Sequence, residues 1–515
     1  MFKTSKLAII ALVAISFSCS KDVTFEENGS LNSTAKSGNS KSTNFDVDFK
    51  LKASFPIKGG GEGKSEISAY DKNTGKLFIV NVEDHEISIL NISDLDNVVE
   101  ESAISLPFGA PNSVAVSNGK LAVAVEAATK QDNGFILVYD TQSNSLWNSF
   151  EVGALPDMVT FSPNGRFIVS ANEGEPNDLY TNDPIGTISI IDLEEGTLNT
   201  LDFQAFSPQQ SVLEALGFRV FGPGATLAMD VEPEYVAISD NSNYAWVTLQ
   251  ENNGVAKVNL ISKTIEAIYP LGFKDYSLPG NEIDASDKDG VTELKNWPVF
   301  GTFMPDAIDY VKIDGMDFVI TANEGDSRDY SGFGEEERIK DVVLDPTAFP
   351  NASFLQKDEN IGRLKITSTL GDTDGDGDYD ALYSYGARSF TIWTGNGQMV
   401  YDSGNDIALK TINTPNFNGG DGRSDDKGAE PESIEILKVQ GNKYILFVGL
   451  ERNNQVLVYD ISNPYSPIFL QILSRNGDEG PEGVLAISDK DSPNGKDLLI
   501  VSNEVSGTVS IYQNN

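Results

Sequence analysis

The chain of 515 residues carries 77 acidic against 37 basic side chains, a formal net charge of -40, which excludes nucleic acid and anionic membrane surfaces as partners and points to divalent cations. One histidine, His85, and one cysteine, Cys19, exclude His/Cys zinc centres, thiol catalysis and disulfides, so any chemistry would rest on carboxylates, hydroxyls, Arg/Lys and hard metals. Apolar residues at 39% suffice for a packed interior, and 46 glycines with 22 prolines imply many turns, which favours an all-β chain.

Residues 1–18 read as an export signal: Lys3 and Lys6 precede an apolar run from Leu7 to Ile15 that is too short to span a bilayer. Cys19, in "ISFSCSKD", resembles the lipidated first residue of a bacterial lipoprotein, although Ser16 stands where Leu is commonest. Ordinary cleavage beside an incidental cysteine is the alternative. The "SKD" after Cys19 resembles the surface-export signal of Bacteroidota-type lipoproteins. Residues 19–45, rich in Ser, Asn, Gly and Thr, read as a flexible tether, so that the membrane is contacted through the lipid alone and the protein resides at the outer membrane or cell surface.

From residue 46 to 515 one β unit recurs seven times. First strands read "SEISAY" at 65, "PNSVAVS" at 111, "PDMVTFS" at 156, "PEYVAIS" at 233, "PDAIDYV" at 305, "PESIEIL" at 431 and "PEGVLAIS" at 481. Second strands end in Glu83, Glu126, Glu173, Glu251, Glu324, Glu451 and Glu504, and third apolar strands follow, with "RLKITST" the candidate in the fifth unit. Such repeats predict a seven-bladed β-propeller with long loops on one face. The C-terminal unit lacks a fourth strand, which "VDFKLKASF" at 47 to 55 would supply, closing the ring from the N-terminal side. Residues 381–404 offer an eighth blade as the alternative.

In an antiparallel pair the start of one strand meets the end of the next. The leading residues Glu66, Asn112, Asp157, Glu234, Asp306, Glu432 and Glu482 should therefore join the terminal glutamates on one face around the channel. Either these carboxylates accept loop N–H groups and hold each turn, or their crowding raises pKa values and calls for cations.

"DTDGDGDYDAL" carries the strongest motif: Asp372, Asp374 and Asp376, then Gly377 and Asp380, match the D-x-D-x-D-G-x-x-D pattern that wraps Ca2+, with Asp378 offering its backbone carbonyl. It resembles the calcium hairpins of integrin-type propellers. It is not a full EF-hand, because Tyr383 stands where that loop has its bidentate glutamate. Insertions at 196–230, 264–303 and 326–427 bring Asp275, Asp284, Asp287 and Asp289 together with Arg328, Arg388, Arg423 and Lys427, which read as ion-pair partners or as phosphate ligands beside Ca2+.

"PDMVTFSPNGRFIVSANEGEPND", "GFKDYSLPGNEIDASDKDG", "ANEGDSRDY", "GDGDYDALYSYGARSFTIW" and "AEPESIEI" together resemble the choice-of-anchor I domain family, related to mesenchyme-specific cell-surface glycoproteins, from about residue 50 to the C-terminus. The resemblance implies a secreted or surface propeller. Its animal members point to biomineralisation, and some bacterial members are labelled atypical alkaline phosphatases. Two expectations follow. One is a lipid-anchored, Ca2+-binding surface module whose binding face, with Glu173, Glu324, Arg328, Arg388, Glu432, Glu451, Glu482 and Glu504, takes a ligand, glycan or protein. The other is a Ca2+-dependent phosphoesterase, of an atypical alkaline phosphatase or propeller-phytase kind, with Arg328 or Arg388 near the phosphate.

Overall fold

A computed structural model describes residues 47–515; the expected export signal, Cys19 and the tether lie outside the described residues. Strands dominate, with only short helical turns between them. Ten sheets are present among the described residues, seven of them four-stranded and antiparallel. The third is representative: Pro156–Phe161, Phe167–Asn172, Thr187–Asp192 and Thr197–Leu201, paired in chain order.

The residue pattern explains the layering. Second and third strands are covered on both faces, so Phe167–Asn172 and Thr187–Asp192 are buried throughout and read as nearly continuous apolar runs. Fourth strands lie at sheet edges, and Leu146–Ala154 of the second sheet is largely exposed. Apolar clusters then fill the spaces between successive sheets. Val169 and Ile190 of the third sheet pack with Val236 and Val247 of the fourth, and Phe447 and Val458 of the sixth pack with Leu499 and Tyr512 of the seventh. A further cluster joins the seventh sheet, through Ile500 and Val509, to Leu77 and Ile79 of the first.

The seventh sheet takes its outer strand from the other end of the chain. Phe49–Pro56 pairs antiparallel with Thr508–Asn514, from Phe49 opposite Asn514 to Pro56 opposite Thr508. Its alternation is broken by a bulge between Leu51 and Ala53, and Leu51 points to solvent.

The fifth sheet differs from expectation. Its strands are Ile308–Ile313, Met316–Asn323, Ser389–Thr394 and Met399–Asp402. "RLKITST" is therefore not the third strand: Lys365–Thr367 pairs with Glu336–Arg338 in a separate ribbon. Residues 381–404 accordingly supply the outer half of the fifth sheet, not an eighth unit. The insertions are also shorter than expected, because Thr197–Leu201 and Thr264–Pro270 are fourth strands of the third and fourth sheets. Between them the insertions build a core of their own, in which Tyr276, Trp297 and Val299 pack against Ile339, Leu364, Ile366 and Leu382.

Candidate functional site

Each first strand opens with a local irregularity that aims its leading residue. The ladder register shifts after Pro111, Pro156, Pro233, Pro431 and Pro481, so Asn112, Asp157, Glu234, Glu432 and Glu482 fall at bulges. In the first sheet Glu66 N donates to the Val80 carbonyl while Val80 N donates to that of Ile67, and Asp306 and Ala307 face Ala322 in the same two-against-one manner. A bulge turns a side chain out of the regular alternation. Glu66, Asn112, Asp157, Asp306, Glu432 and Glu482 consequently line one cavity of about 150 Å³, with Tyr235 and Met158.

The second-strand ends explain the repeated "ANEG". Asn172 is fully buried and donates through Nδ2 to Thr187 Oγ1 at 3.1 Å and Ser189 Oγ at 2.9 Å; Asn323 does the same with Ser389 Oγ at 3.2 Å and Thr391 Oγ1 at 2.8 Å. The following glutamate is then held by its main chain, as Glu173 N donates to Leu155 O at 2.8 Å. Gly325 has φ 88, and a Cβ there would stand 2.1 Å from Gly386 N, so the turn admits no side chain. Asparagine and glycine build the turn; the glutamate side chain is left to the rim.

Three carboxylate clusters result, each with oxygens within 4.8 Å of one another: Glu173, Glu234 and Glu251; Asp306, Glu324 and Glu432; Glu324, Glu430 and Glu451. The second and third hold cations of the chain itself. Lys427 Nζ lies 3.2 Å from Glu324 Oε1, Arg423 Nε lies 2.7 Å from Glu430 Oε1, and Arg452 bridges Glu430 and Glu451. Burial pushes Glu451 up to about 8 and Glu482 to about 7, and raises Glu66 to about 9 with help from Glu482, Glu504 and Asp157. Burial also lifts Glu504, Glu324 and, more strongly, Glu173 and Glu432.

The Asp372 loop lies in the insertion and is exposed. Asp372, Asp374 and Asp380 bring oxygens within 4.8 Å of one another; Asp378 and Asp380 form a second group with Asp345, a residue the motif does not contain. Asp376 joins neither group, and its Oδ1 accepts Asp378 N at 3.1 Å. Asp372 is oriented by Gly375 N at 2.8 Å and Gly377 N at 3.1 Å. Among the described residues no Lys or Arg forms an ion pair with any of the five loop aspartates, unlike the rim clusters around Lys427, Arg423 and Arg452.

The two arginines expected on the binding face are internal. Arg328, with a side chain 1% exposed, donates to Asp230 Oδ1 at 2.6 Å and lies 2.7 Å from Glu232 Oε2. Arg388 is buried and donates to the carbonyls of Asp284 at 2.7 Å and Ser424 at 3.0 Å. Neither guanidinium is presented to solvent, although Arg388 Nε has no hydrogen-bond partner. Arg219, buried against Glu335, is a further internal pair that the sequence did not single out. Glu232 and Glu430 were missed as well, although both begin an "EPE" tripeptide and both receive the chain's own arginines. His85 is exposed in its turn.

The sequence family described as "Choice-of-anchor I domain" matches residues 66–464. Gigasin-3a from Magallana gigas is 29% identical over 191 residues, covering 31% of this chain and 66% of that protein. The mesenchyme-specific cell surface glycoprotein of Strongylocentrotus purpuratus is 26% identical over 333 residues, covering 56% of this chain and 41% of that protein. The chain thus spans less than two thirds of the length of these curated relatives. Among solved structures, Kuenenia stuttgartiensis hydrazine synthase aligns at a TM-score of 0.48 with 12% identity, over 92% of this chain and 99% of the other. The Cps50 (Swd1) β-propeller domain of Myceliophteria thermophila aligns at 0.46 with 8% identity, over 90% of this chain and 99% of the other.

Proposed function

Because the chain belongs to the choice-of-anchor I domain family, we propose that it is an exported cell-surface propeller that binds Ca2+ and serves as a binding module for a surface ligand, glycan or protein. The seven four-stranded sheets are its blades, and the pairing of Phe49–Pro56 with Thr508–Asn514 is the seam that closes the ring. Contact of the first strand of the seventh sheet with that of the first supports this closure. Surface location is supported by the cell-surface glycoprotein among its relatives and by the export signal read in residues 1–18, with Cys19 as the lipid anchor. Among the described residues no helix is long and apolar enough to cross a membrane.

One observation carries the Ca2+ reading: Asp372, Asp374 and Asp380 converge within 4.8 Å on an exposed loop. Ligands held 2.3–2.6 Å from one Ca2+ lie no more than about 5 Å apart, so the three oxygens suit a single ion with water or a partner's oxygens completing its shell. A phosphoesterase built on Arg328 or Arg388 has less support, since both guanidiniums are buried and donate to internal acceptors, although Arg388 Nε has no hydrogen-bond partner. Calorimetric titration of the exported form with Ca2+ tests the reading: Asp372→Asn with Asp374→Asn should remove a binding event, and unchanged stoichiometry would refute it.

A further inference from the structure

The three rim clusters are alike in geometry and unlike in charge. In the cluster of Asp306, Glu324 and Glu432, Lys427 pairs with Glu324 while Glu432 Oε2 has no hydrogen-bond partner, and Arg423 and Arg452 serve the cluster of Glu324, Glu430 and Glu451. Glu173, Glu234 and Glu251, between the third and fourth sheets, form no ion pair among the described residues, and none of their carboxylates accepts a hydrogen bond from another residue. Glu251 is only 6% exposed, and its Oε2 has no hydrogen-bond partner; the same is true of Oε2 of Glu234. Arg328 feels the charge of Glu251, but its guanidinium is bonded to Asp230 and Glu232. A buried carboxylate oxygen left without donor or cation is costly, by several kcal/mol in general.

We infer that Glu173, Glu234 and Glu251 form a second cation site, taking a hard divalent ion of the Ca2+ class in the position that Lys427 and Arg452 fill in the neighbouring sectors. Oxygens within 4.8 Å of one another suit one such ion, and an all-carboxylate set without His or Cys disfavours zinc and copper. The local backbone prepares the site. Glu234 is turned out by the bulge after Pro233, Glu173 is fixed through its amide on Leu155, and Glu251 follows Gln250, whose Nε2 donates to Glu324 Oε2 at 2.9 Å. The site is independent of the Asp372 loop.

The test uses the exported form with Asp372→Asn, Asp374→Asn and Asp380→Asn, which disables the loop, and reads Ca2+ by calorimetry and Tb3+ by luminescence. One equivalent should persist in this background, and adding Glu251→Gln or Glu234→Gln should weaken it at least tenfold with the far-ultraviolet circular dichroism unchanged. Loss of all binding in the loop-disabled protein would overturn the site, as would an equivalent that survives both glutamine variants. Should those variants not fold, anomalous diffraction from wild-type crystals soaked in Tb3+ decides: a peak among the three glutamates supports the site, and none there refutes it. Failure of the loop would instead appear in the single-site variant Glu251→Gln, which would then bind no ion.

Discussion

Lys427 reaches from the insertion to Glu324, Nζ 3.2 Å from Oε1, and to Asp326 Oδ1 at 2.7 Å. Both side chains of the Lys427–Glu324 pair are close to nine-tenths buried. Lys427→Met should leave Glu324 uncompensated beside Asp306 and Glu432, at a cost of about 3–5 kcal/mol. Urea denaturation measures this, and a midpoint unchanged from wild type would show that the pair does not hold the rim.

The seam between the chain ends has an apolar anchor. Phe49 is buried, packs edge-on to Phe447 with ring centroids 5.1 Å apart, and is paired with Asn514. Phe49→Ala should cost about 3–5 kcal/mol and loosen the outer strand of the seventh sheet. Hydrogen exchange at Thr508–Asn514 should accelerate in the variant; equal protection would mean that the strand contributes little to the sheet.

Stability should fall with rising pH in Ca2+-free buffer. Glu66 is raised to about 9 and Glu482 to about 7, chiefly by burial, whereas unfolded glutamate titrates near 4.3. Between those values the folded state holds the extra protons, so the contribution of these groups is complete at low pH and is lost as pH climbs through about 7 and then 9. Melting temperature should therefore decline from pH 5 to 9, and Glu66→Gln with Glu482→Gln should flatten that decline and raise the value at pH 8. A profile that rises with pH would contradict the sign.

The repeat was legible because second strands are buried on both faces: "RFIVSANE" and "DFVITANE" announce themselves as apolar runs closed by polar turns. Pro at the head of most first strands marks where each sheet begins. The fifth sheet was not legible. Its third strand, Ser389–Thr394, lies deep inside the segment 326–427 that reads as an insertion, and Lys365–Thr367 offers a similar short alternation closer to hand. Local pattern cannot tell which of two strands pairs with Met316–Asn323, because that choice is made by packing against the sixth sheet, where Phe390 meets Tyr459. The rim was partly legible, since strand geometry alone brings Asp306 beside Glu324. That Arg328 and Arg388 turn inward was not, because Asp230, Glu232 and the carbonyls that receive them are distant in sequence. Asp345 was invisible for the same reason: only the fold brings it to Asp378 and Asp380.

The proposed binding function stands on Ca2+ in the loop from Asp372 to Asp380. The most direct measurement is a crystal structure of the protein grown in millimolar Ca2+, with anomalous data to identify the ion. A peak is expected within about 2.3–2.6 Å of carboxylate oxygens of Asp372, Asp374 and Asp380. A well-ordered loop with only water at that position would contradict it.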